Sequence, residues 1–283
     1  MKLLNGAELR DFIKERQAKQ VRALRQSWRV LPKLVIFYSS KNPVIETYMR
    51  LKTAYAEDIL IEADKRFVSL ENLAEEMQMA NRDEEIHGII VQLPLENSNG
   101  EKVEGEELAK ILAEISPEKD VDGLASDVFE PATAVAIDWL LAGYNVELVG
   151  KKIAVVGQGL LVGKPLAKRW KNSGLDVKTF DEQNAEEMRE TLSKFDVVVT
   201  AVGKAGLISS EMLKQKAVVV DAGTSSENGV IKGDVAEEVR ENHQDLTITP
   251  KIGGVGPLTV AALIDNVIIA ARKVAQQKGQ QDL

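Results

Sequence analysis

The chain contains no cysteine and only two histidines among its 283 residues. Without thiols there is no disulfide framework, no thiolate nucleophile and no Cys-built zinc site. An excess of basic charge is also missing: 36 Lys and Arg stand against 44 Asp and Glu, a net charge of -8, and the cations are scattered along the chain. That distribution argues against a long polyanion such as nucleic acid as a partner. The opening MKLLNGAELRDFIKER turns charged too early for a secretory signal, and no apolar run is expected to cross a bilayer, so a cytoplasmic protein with no membrane partner is expected. Internal repeats and low-complexity tracts are lacking as well, apart from a polar C-terminal tail that is expected to fray. What is present is 44% hydrophobic residues, enough to bury the core of two modest domains or one large one.

Those hydrophobic residues are arranged in alternation. Short runs rich in Val and Ile recur at 33–39, 59–63, 88–93, 152–157, 196–202, 217–223 and 246–250, and helical periods such as LENLAEEMQMANR and GKPLAKRWKNSG lie between them. Strand and helix in turn predict an α/β protein with parallel sheets, whose ligands bind beyond the carboxyl ends of the strands. Around residues 124–150 the pattern changes to one helix, ATAVAIDWLLAG, with Gly143 as its expected left-handed cap, and the domain junction is expected there. The final GPLTVAALIDNVIIAARKVAQQ predicts a long amphipathic helix that returns to the first domain. The expected division is residues 1–130 plus 260–283 against residues 131–259.

In VVGQGLLVGKP, Gly157 ends a predicted strand, Gly159 follows, and Gly163 opens a predicted helix, so free backbone N–H groups and the helix dipole could meet a pyrophosphate. The common dinucleotide fingerprint wants its third glycine at 162, where Val162 stands, and a plain strand-to-helix turn would have the same pattern. The next strand runs into Asp181, 24 positions beyond Gly157, close to where an acid accepts hydrogen bonds from the adenosine ribose in NAD-binding folds. With Glu182 beside it, such an acid would repel a 2'-phosphate, and NAD is preferred over NADP on that ground. A solvated strand end would look the same.

A second constellation lies in the first half. Tyr48 and Lys52 are four apart and share a helix face, giving a stacking surface beside a proton-transfer group whose pKa a dry setting would lower. An ordinary surface helix would also carry such a pair. Gln92 stands at the end of an apolar strand, and Asp120 and Asp122 sit in KDVDG, where alternate residues of an extended stretch point one way. No further oxygen ligands accompany the two acids, so no metal is expected. His87 and His243 are read as structural or exposed.

In chain order, Asn5-Gly6, Tyr48-x-x-x-Lys52, VQLPL, PEKDVDG, the glycine loop ending VGKP, DAGT, NGVIKGDV and TPKIGGVGPLTVA resemble the methylenetetrahydrofolate dehydrogenase/cyclohydrolase family from end to end. A short-chain dehydrogenase also uses Tyr-x-x-x-Lys, but there the cofactor glycines precede the Tyr. The resemblance implies a Rossmann-like NAD(P)-binding domain at 131–259 and a folate-binding catalytic domain, with a cleft between them. It implies oxidation of 5,10-methylenetetrahydrofolate by NAD or NADP, then hydrolysis of the methenyl product to 10-formyltetrahydrofolate in that cleft, in a homodimer. Lys52 would be the central catalytic group, Gln92 its hydrogen-bonding partner, Tyr48 a stacking surface for the folate, and Asp122 the group that holds the pterin. Gly253, Gly254 and Pro257 would face the substrate. Gly157, Gly159, Leu160, Val162, Gly163, Lys164, Asp181, Glu182, Val202, Gly203, Gly223 and Thr224 would line the cofactor.

Two single residues and two short segments depart from the family pattern: Ile45 replaces a Ser, Gly159 replaces a Ser, PATAVA replaces PCTP-x-G, and PKIGG replaces PVPGG. These departures leave open a dehydrogenase that has lost hydrolysis, or a non-catalytic relative that binds NAD and folate.

Overall fold

The computed structural model describes residues 1–40, 42–227, 230–277 and 279. The chain divides into two compact units, one made of Met1–Arg10 with Thr133–Thr259, the other of Asp11–Ala132 with the chain from Val260 onward. In chain order the elements are β1 (Lys2–Leu3), α1 (Gly6–Ser27), β2 (Lys33–Tyr38), α2 (Pro43–Asp58), β3 (Glu62–Phe67), α3 (Leu70–Arg82), β4 (Gly88–Val91) and α4 (Gly105–Ala113). There follow α5 (Ala132–Gly143), β5 (Lys152–Val156), α6 (Gly163–Asn172), β6 (Asp176–Phe180), α7 (Ala185–Thr191), β7 (Val197–Thr200), β8 (Val218–Asp221), β9 (Ser225–Glu227), β10 (Val230–Lys232), α8 (Glu237–Asn242), β11 (Thr247–Ile248) and α9 (Val255–Gln277).

The first unit holds a six-stranded, wholly parallel sheet in the order β1-β11-β8-β7-β5-β6. Its inner strands read VVVT and VVVD because helices or loops cover both faces, so no alternation is possible. The chain leaves β5 for β6 on one side and then returns to β7 on the other, which makes the carboxyl ends of β5 and β7 a topological switch point. Asp138 of α5 ties that helix to α6, accepting from Trp170 Nε1 at 2.7 Å and Arg169 Nε at 2.5 Å. The first ten residues belong to this unit, although the sequence assigned them to the other one. The reason is backbone pairing: Lys2 and Leu3 register with Thr247 and Ile248, and Leu4 is fully buried behind them.

The second unit holds a three-stranded parallel sheet, β3-β2-β4, over a core that includes Phe37, Leu73, Met77, Ile89 and Leu112. The expected strand at 59–63 is displaced to Glu62–Phe67. Ile59 and Ile61 are buried, but they close α2: Leu60 adopts φ 68, with Leu60 N donating to Glu57 O and Ile61 N to Ala56 O, a Schellman closure. The true strand, EADKRF, is polar because it is an edge, where charge discourages further pairing.

Two other expectations change. Gly143 is the last residue of α5 and not its left-handed cap; Asn145 takes φ 56, with Asn145 N bonded to Ala142 O and Val146 N to Leu141 O. A side chain at Gly143 would meet the Leu9 side chain, which would have to shift. Contrary to the expectation of no spanning run, α9 is long and apolar enough to cross a membrane by length and composition, yet 61% of its apolar window is buried in the protein. Asn228 and Gly229 of the NGVIKGDV motif, and most of the polar tail, lie outside the described residues.

Candidate active site

In the second unit the site begins with α2. Tyr55 OH donates to Gln17 Oε1 at 2.7 Å, and Gln17 Nε2 donates to Ala261 O at 2.8 Å and Asp265 Oδ1 at 3.0 Å. This buried amide fastens α2 to α1 and α9 from behind. Ile45, where the family resemblance anticipated Ser, is 3% exposed and serves the core. Tyr48 and Lys52 occupy the half-buried face.

Lys52 Nζ donates to Gln92 Oε1 at 3.0 Å. Gln92 follows β4 directly; its backbone N–H donates to Phe37 O, and its Nε2 donates to Leu93 O at 2.9 Å, which fixes which end of the amide faces the lysine. Burial holds the Lys52 ammonium below the ordinary lysine value, opposed by the Asp122 carboxylate. Burial likewise lifts the Asp122 carboxyl above its ordinary range, with Lys52 opposing and Asp120 adding to the rise. Each group therefore favours its neutral form more than it would in water, so the pair can exchange a proton with a reacting atom at modest cost.

The two acids of KDVDG lie in a turn, not an extended stretch, and do not share a task. Asp120 is 1% exposed and accepts from the backbone of Ala125 at 3.0 Å and Ser126 at 2.9 Å, and from Ser126 Oγ at 3.1 Å. It closes the loop. Val121 between them is fully buried, its carbonyl held by Asn266 Nδ2 at 2.9 Å, and this arrangement leaves Asp122 as the acid that acts on Lys52.

In the first unit, Gly157 follows β5 with φ 94, a region that favours glycine, and a Cβ there would strike the Ala201 carbonyl beyond β7. A Cβ on Gly163 would collide with the Gly157 carbonyl, so the late third glycine does the packing work normally given to position 162. Val162 is instead the residue before the helix. Gly159 faces open space, and Leu160 and Lys164 are exposed beside it. Asp181 and Glu182 are exposed at the end of β6, whose register pairs Phe180 with Val156 one strand away from Gly157. Asp181 Oδ1 accepts from Gln183 N at 2.9 Å and its own N–H donates to Asn184 Oδ1 at 2.8 Å, a capping box that fixes the carboxylate. Val202 and Gly203 follow β7, and Gly223 and Thr224 follow β8.

Gly253 and Gly254 precede α9 in the same unit, and Pro257 lies in that helix's first turn. The Gly253 carbonyl accepts from Ala7 N at 3.0 Å, and the Gly254 carbonyl fills the space a side chain on Gly6 would need. Asn5 caps α1 beside it, Oδ1 accepting from Ala7 N at 3.1 Å. Asn5-Gly6 is therefore the seat of the glycine loop.

The structure thus gathers Tyr48, Lys52, Gln92 and Asp122 in one unit, and the cofactor candidates with Gly253, Gly254 and Pro257 in the other. Sequence reasoning gave no role to Gln17 or to the acids Asp221 and Asp234, whose side chains are buried, although both acids stand in the DAGT and NGVIKGDV motifs. His87 is 4% exposed and its Nδ1 accepts from Lys33 N; His243 Nε2 lies 2.9 Å from Ser210 O. Among the described residues no group of three or more His, Cys, Asp and Glu is placed to hold a metal ion.

A parallel sheet with a glycine turn at its switch point, joined in one chain to a unit bearing a desolvated Lys–Gln–Asp cluster, defines a nucleotide-binding α/β protein of the oxidoreductase kind. Residues 4–122 match the tetrahydrofolate dehydrogenase/cyclohydrolase catalytic domain and residues 131–275 the NAD(P)-binding domain of the same proteins. The chain belongs to the tetrahydrofolate dehydrogenase/cyclohydrolase family. It is 33% identical to the bifunctional protein FolD of Macrococcus caseolyticus over 97% of this chain and 99% of that one. Its fold is similar to the bifunctional FolD of Campylobacter jejuni, with TM-score 0.86 and 30% identity over 96% of this chain and 99% of that one. It is also similar to the Trypanosoma brucei enzyme complexed with NADP and an inhibitor, with TM-score 0.85 and 27% identity over 96% of this chain and 97% of that one.

Proposed function

We propose that this protein oxidises 5,10-methylenetetrahydrofolate with a nicotinamide cofactor and hydrolyses the methenyl product to 10-formyltetrahydrofolate. The observation that carries the reading is the Lys52–Gln92 hydrogen bond at 3.0 Å beside Asp122. Loss of hydride leaves a cation shared by two folate nitrogens, and a lysine whose pKa burial lowers repels it less than an ordinary ammonium would. The Tyr48 ring offers that cation an aromatic face. Attack of water then releases a proton, which the amine form of Lys52 accepts while Gln92 holds its Nζ in place. Asp122, with its carboxyl raised by burial, is suited to hydrogen bonding with the polar edge of a pterin.

The glycine cradle fits a dinucleotide: Gly157 and Gly163 meet with no room for side chains, and the N-terminus of α6 opens beside them. Gly157, Gly159, Leu160, Val162, Gly163 and Lys164 would hold the pyrophosphate region, with Val202, Gly203, Gly223 and Thr224 at the neighbouring strand ends. The nicotinamide, when bound, supplies the hydride acceptor. Asp181 and Glu182 favour NAD, because their exposed carboxylates suit ribose hydroxyls and repel a 2'-phosphate. A homodimer belongs to the same reading and rests on family membership alone.

The test is a spectrophotometric assay with 5,10-methylenetetrahydrofolate and either NAD or NADP, following reduced cofactor and methenyl product together. Reduction of NAD with little methenyl accumulation is expected. Accumulation would identify a dehydrogenase without efficient hydrolysis, and protein that binds both ligands without turnover would overturn the enzymatic reading.

A further inference from the structure

Two carboxylates the mechanism does not use, Asp221 and Asp234, lie side by side in the first unit. Asp234 is fully buried. Its Oδ2 accepts from Thr200 Oγ1 at 2.6 Å and Val202 N at 2.8 Å, and its Oδ1 accepts from Lys204 N at 2.7 Å. Two of those donors are backbone amides of the loop after β7, so the carboxylate acts as a template for the loop's path. The glycines on either side make this possible: the Asp234 carboxylate occupies the space of a side chain on Gly223, and the Asp221 carboxylate that of a side chain on Gly233.

Asp234 is itself held in place. Its N–H donates to Asp221 Oδ1 at 3.0 Å, and Val235 N donates to Asp221 Oδ2 at 3.1 Å. Arg240 Nη2 lies 3.9 Å from Asp221 and donates to Thr249 O at 3.2 Å. The loop so defined lies against the glycine turn, where both the Ala201 carbonyl and the Val202 side chain close in on Gly157.

We propose that Asp234 is a positioning residue for cofactor binding: its buried carboxylate sets the loop 201–204 at the distance from Gly157 that admits a dinucleotide. This rests on the reading that Gly157, Val202 and Gly203 line the cofactor. A charged acceptor with three short bonds is required for the task. In Asp234→Asn one end of the group becomes an NH2 facing an N–H or O–H donor, so at least one bond is lost and a donor is set against a donor.

The test compares wild type, Asp234→Asn and Thr200→Val. Melting temperature reports folding, NAD titration gives the dissociation constant, and initial rates give separate KM values for NAD and for 5,10-methylenetetrahydrofolate. Loss of hydrogen bonds to a charged group predicts a rise of about tenfold or more in the NAD constants of Asp234→Asn and about two- to fourfold in Thr200→Val, with the folate KM within about twofold of wild type. Such a split supports the proposal, because general loosening would move both substrates together. An unchanged NAD constant in folded Asp234→Asn, or a parallel rise for folate, overturns it while leaving the cofactor reading intact. If Asp234→Asn does not fold, Thr200→Val decides, and an unchanged NAD constant there is equally fatal. A wild-type protein that binds neither NAD nor NADP would remove the cofactor reading and this proposal with it.

Discussion

The carbonyl of Gly157 stands where a side chain on Gly163 would project, so a strand end and a helix start share one small space. Gly159, between them in sequence, meets nothing within 4 Å. The two positions should therefore respond oppositely. Gly163→Ala forces the turn apart and is expected to cost about 1–3 kcal/mol, with cofactor binding weakened at the same time. Gly159→Ser should stay within about 0.5 kcal/mol of wild type. Thermal unfolding with and without NAD checks both, and equal melting temperatures for the two variants would contradict the packing described.

Lys52 carries a prediction about pH. Its pKa is lowered by burial, so the neutral amine that accepts a proton becomes abundant below the ordinary lysine range. Hydrolysis of methenyltetrahydrofolate, corrected for its uncatalysed rate, should rise with pH through that lowered value and then level off. Lys52→Arg fixes a positive charge at the site and removes the proton exchange, and it is expected to lose about 100- to 10,000-fold in rate. A Lys52→Arg protein with wild-type hydrolysis would remove Lys52 from the chemistry.

Asp122 predicts an effect on stability with a definite sign. Burial raises its folded pKa above the unfolded one, so its contribution is fully present below the unfolded pKa and is lost as pH rises through the folded value. Asp122→Asn removes that dependence. Denaturant unfolding should find the variant at least as stable as wild type at neutral pH, with the difference vanishing toward the acid end. A variant less stable at neutral pH than in acid, relative to wild type, would mean that attraction to Lys52 outweighs desolvation.

Gln17 of α1 is fully buried, with three partners on two other helices, α2 and α9. Gln17→Leu removes the bonds to the Tyr55 hydroxyl, the Ala261 carbonyl and Asp265, at a cost of about 1–3 kcal/mol. The double variant with Tyr55→Phe should lose less than the sum of the two single variants, because both single changes remove the same Tyr55–Gln17 bond. Urea unfolding of both would measure that coupling, and strict additivity would deny it.

The central strands were legible because burial on both faces leaves them no polar positions, and α3 was legible because Leu73, Met77 and Ala80 fall on one stripe. The edge strand β3 was not, since being an edge favours the charges that disguise it, and the apolar run before it belongs to a helix closure. The antiparallel pairing of β9 with β10 also escaped notice, as three-residue strands carry little pattern. At the site, Lys52 and Gln92 were legible from chain order and motif, while nothing local joined them, being 40 residues apart. Asp234 was not legible as a partner of residues 202–204: its donors are mainly backbone N–H groups, and these are the same at every position but proline.

Cofactor choice gives the last prediction. Asp181 has two tasks, because one oxygen caps the turn after β6 through Gln183 N while the exposed carboxylate also bears the charge that would oppose a 2'-phosphate. Asp181→Ser separates them, since serine still caps and carries no charge. With Glu182→Gln added, the ratio of kcat/KM for NAD over NADP should fall at least about tenfold, equivalent to about 1.4 kcal/mol, at little cost to the melting temperature. Asp181→Ala, also with Glu182→Gln, loses both the cap and the charges, so it should show the same change in ratio together with a lower melting temperature. If the ratio moves in neither variant, discrimination between the cofactors does not reside at the end of β6. If it moves only in Asp181→Ala, the cap and not the charge is what the cofactor senses.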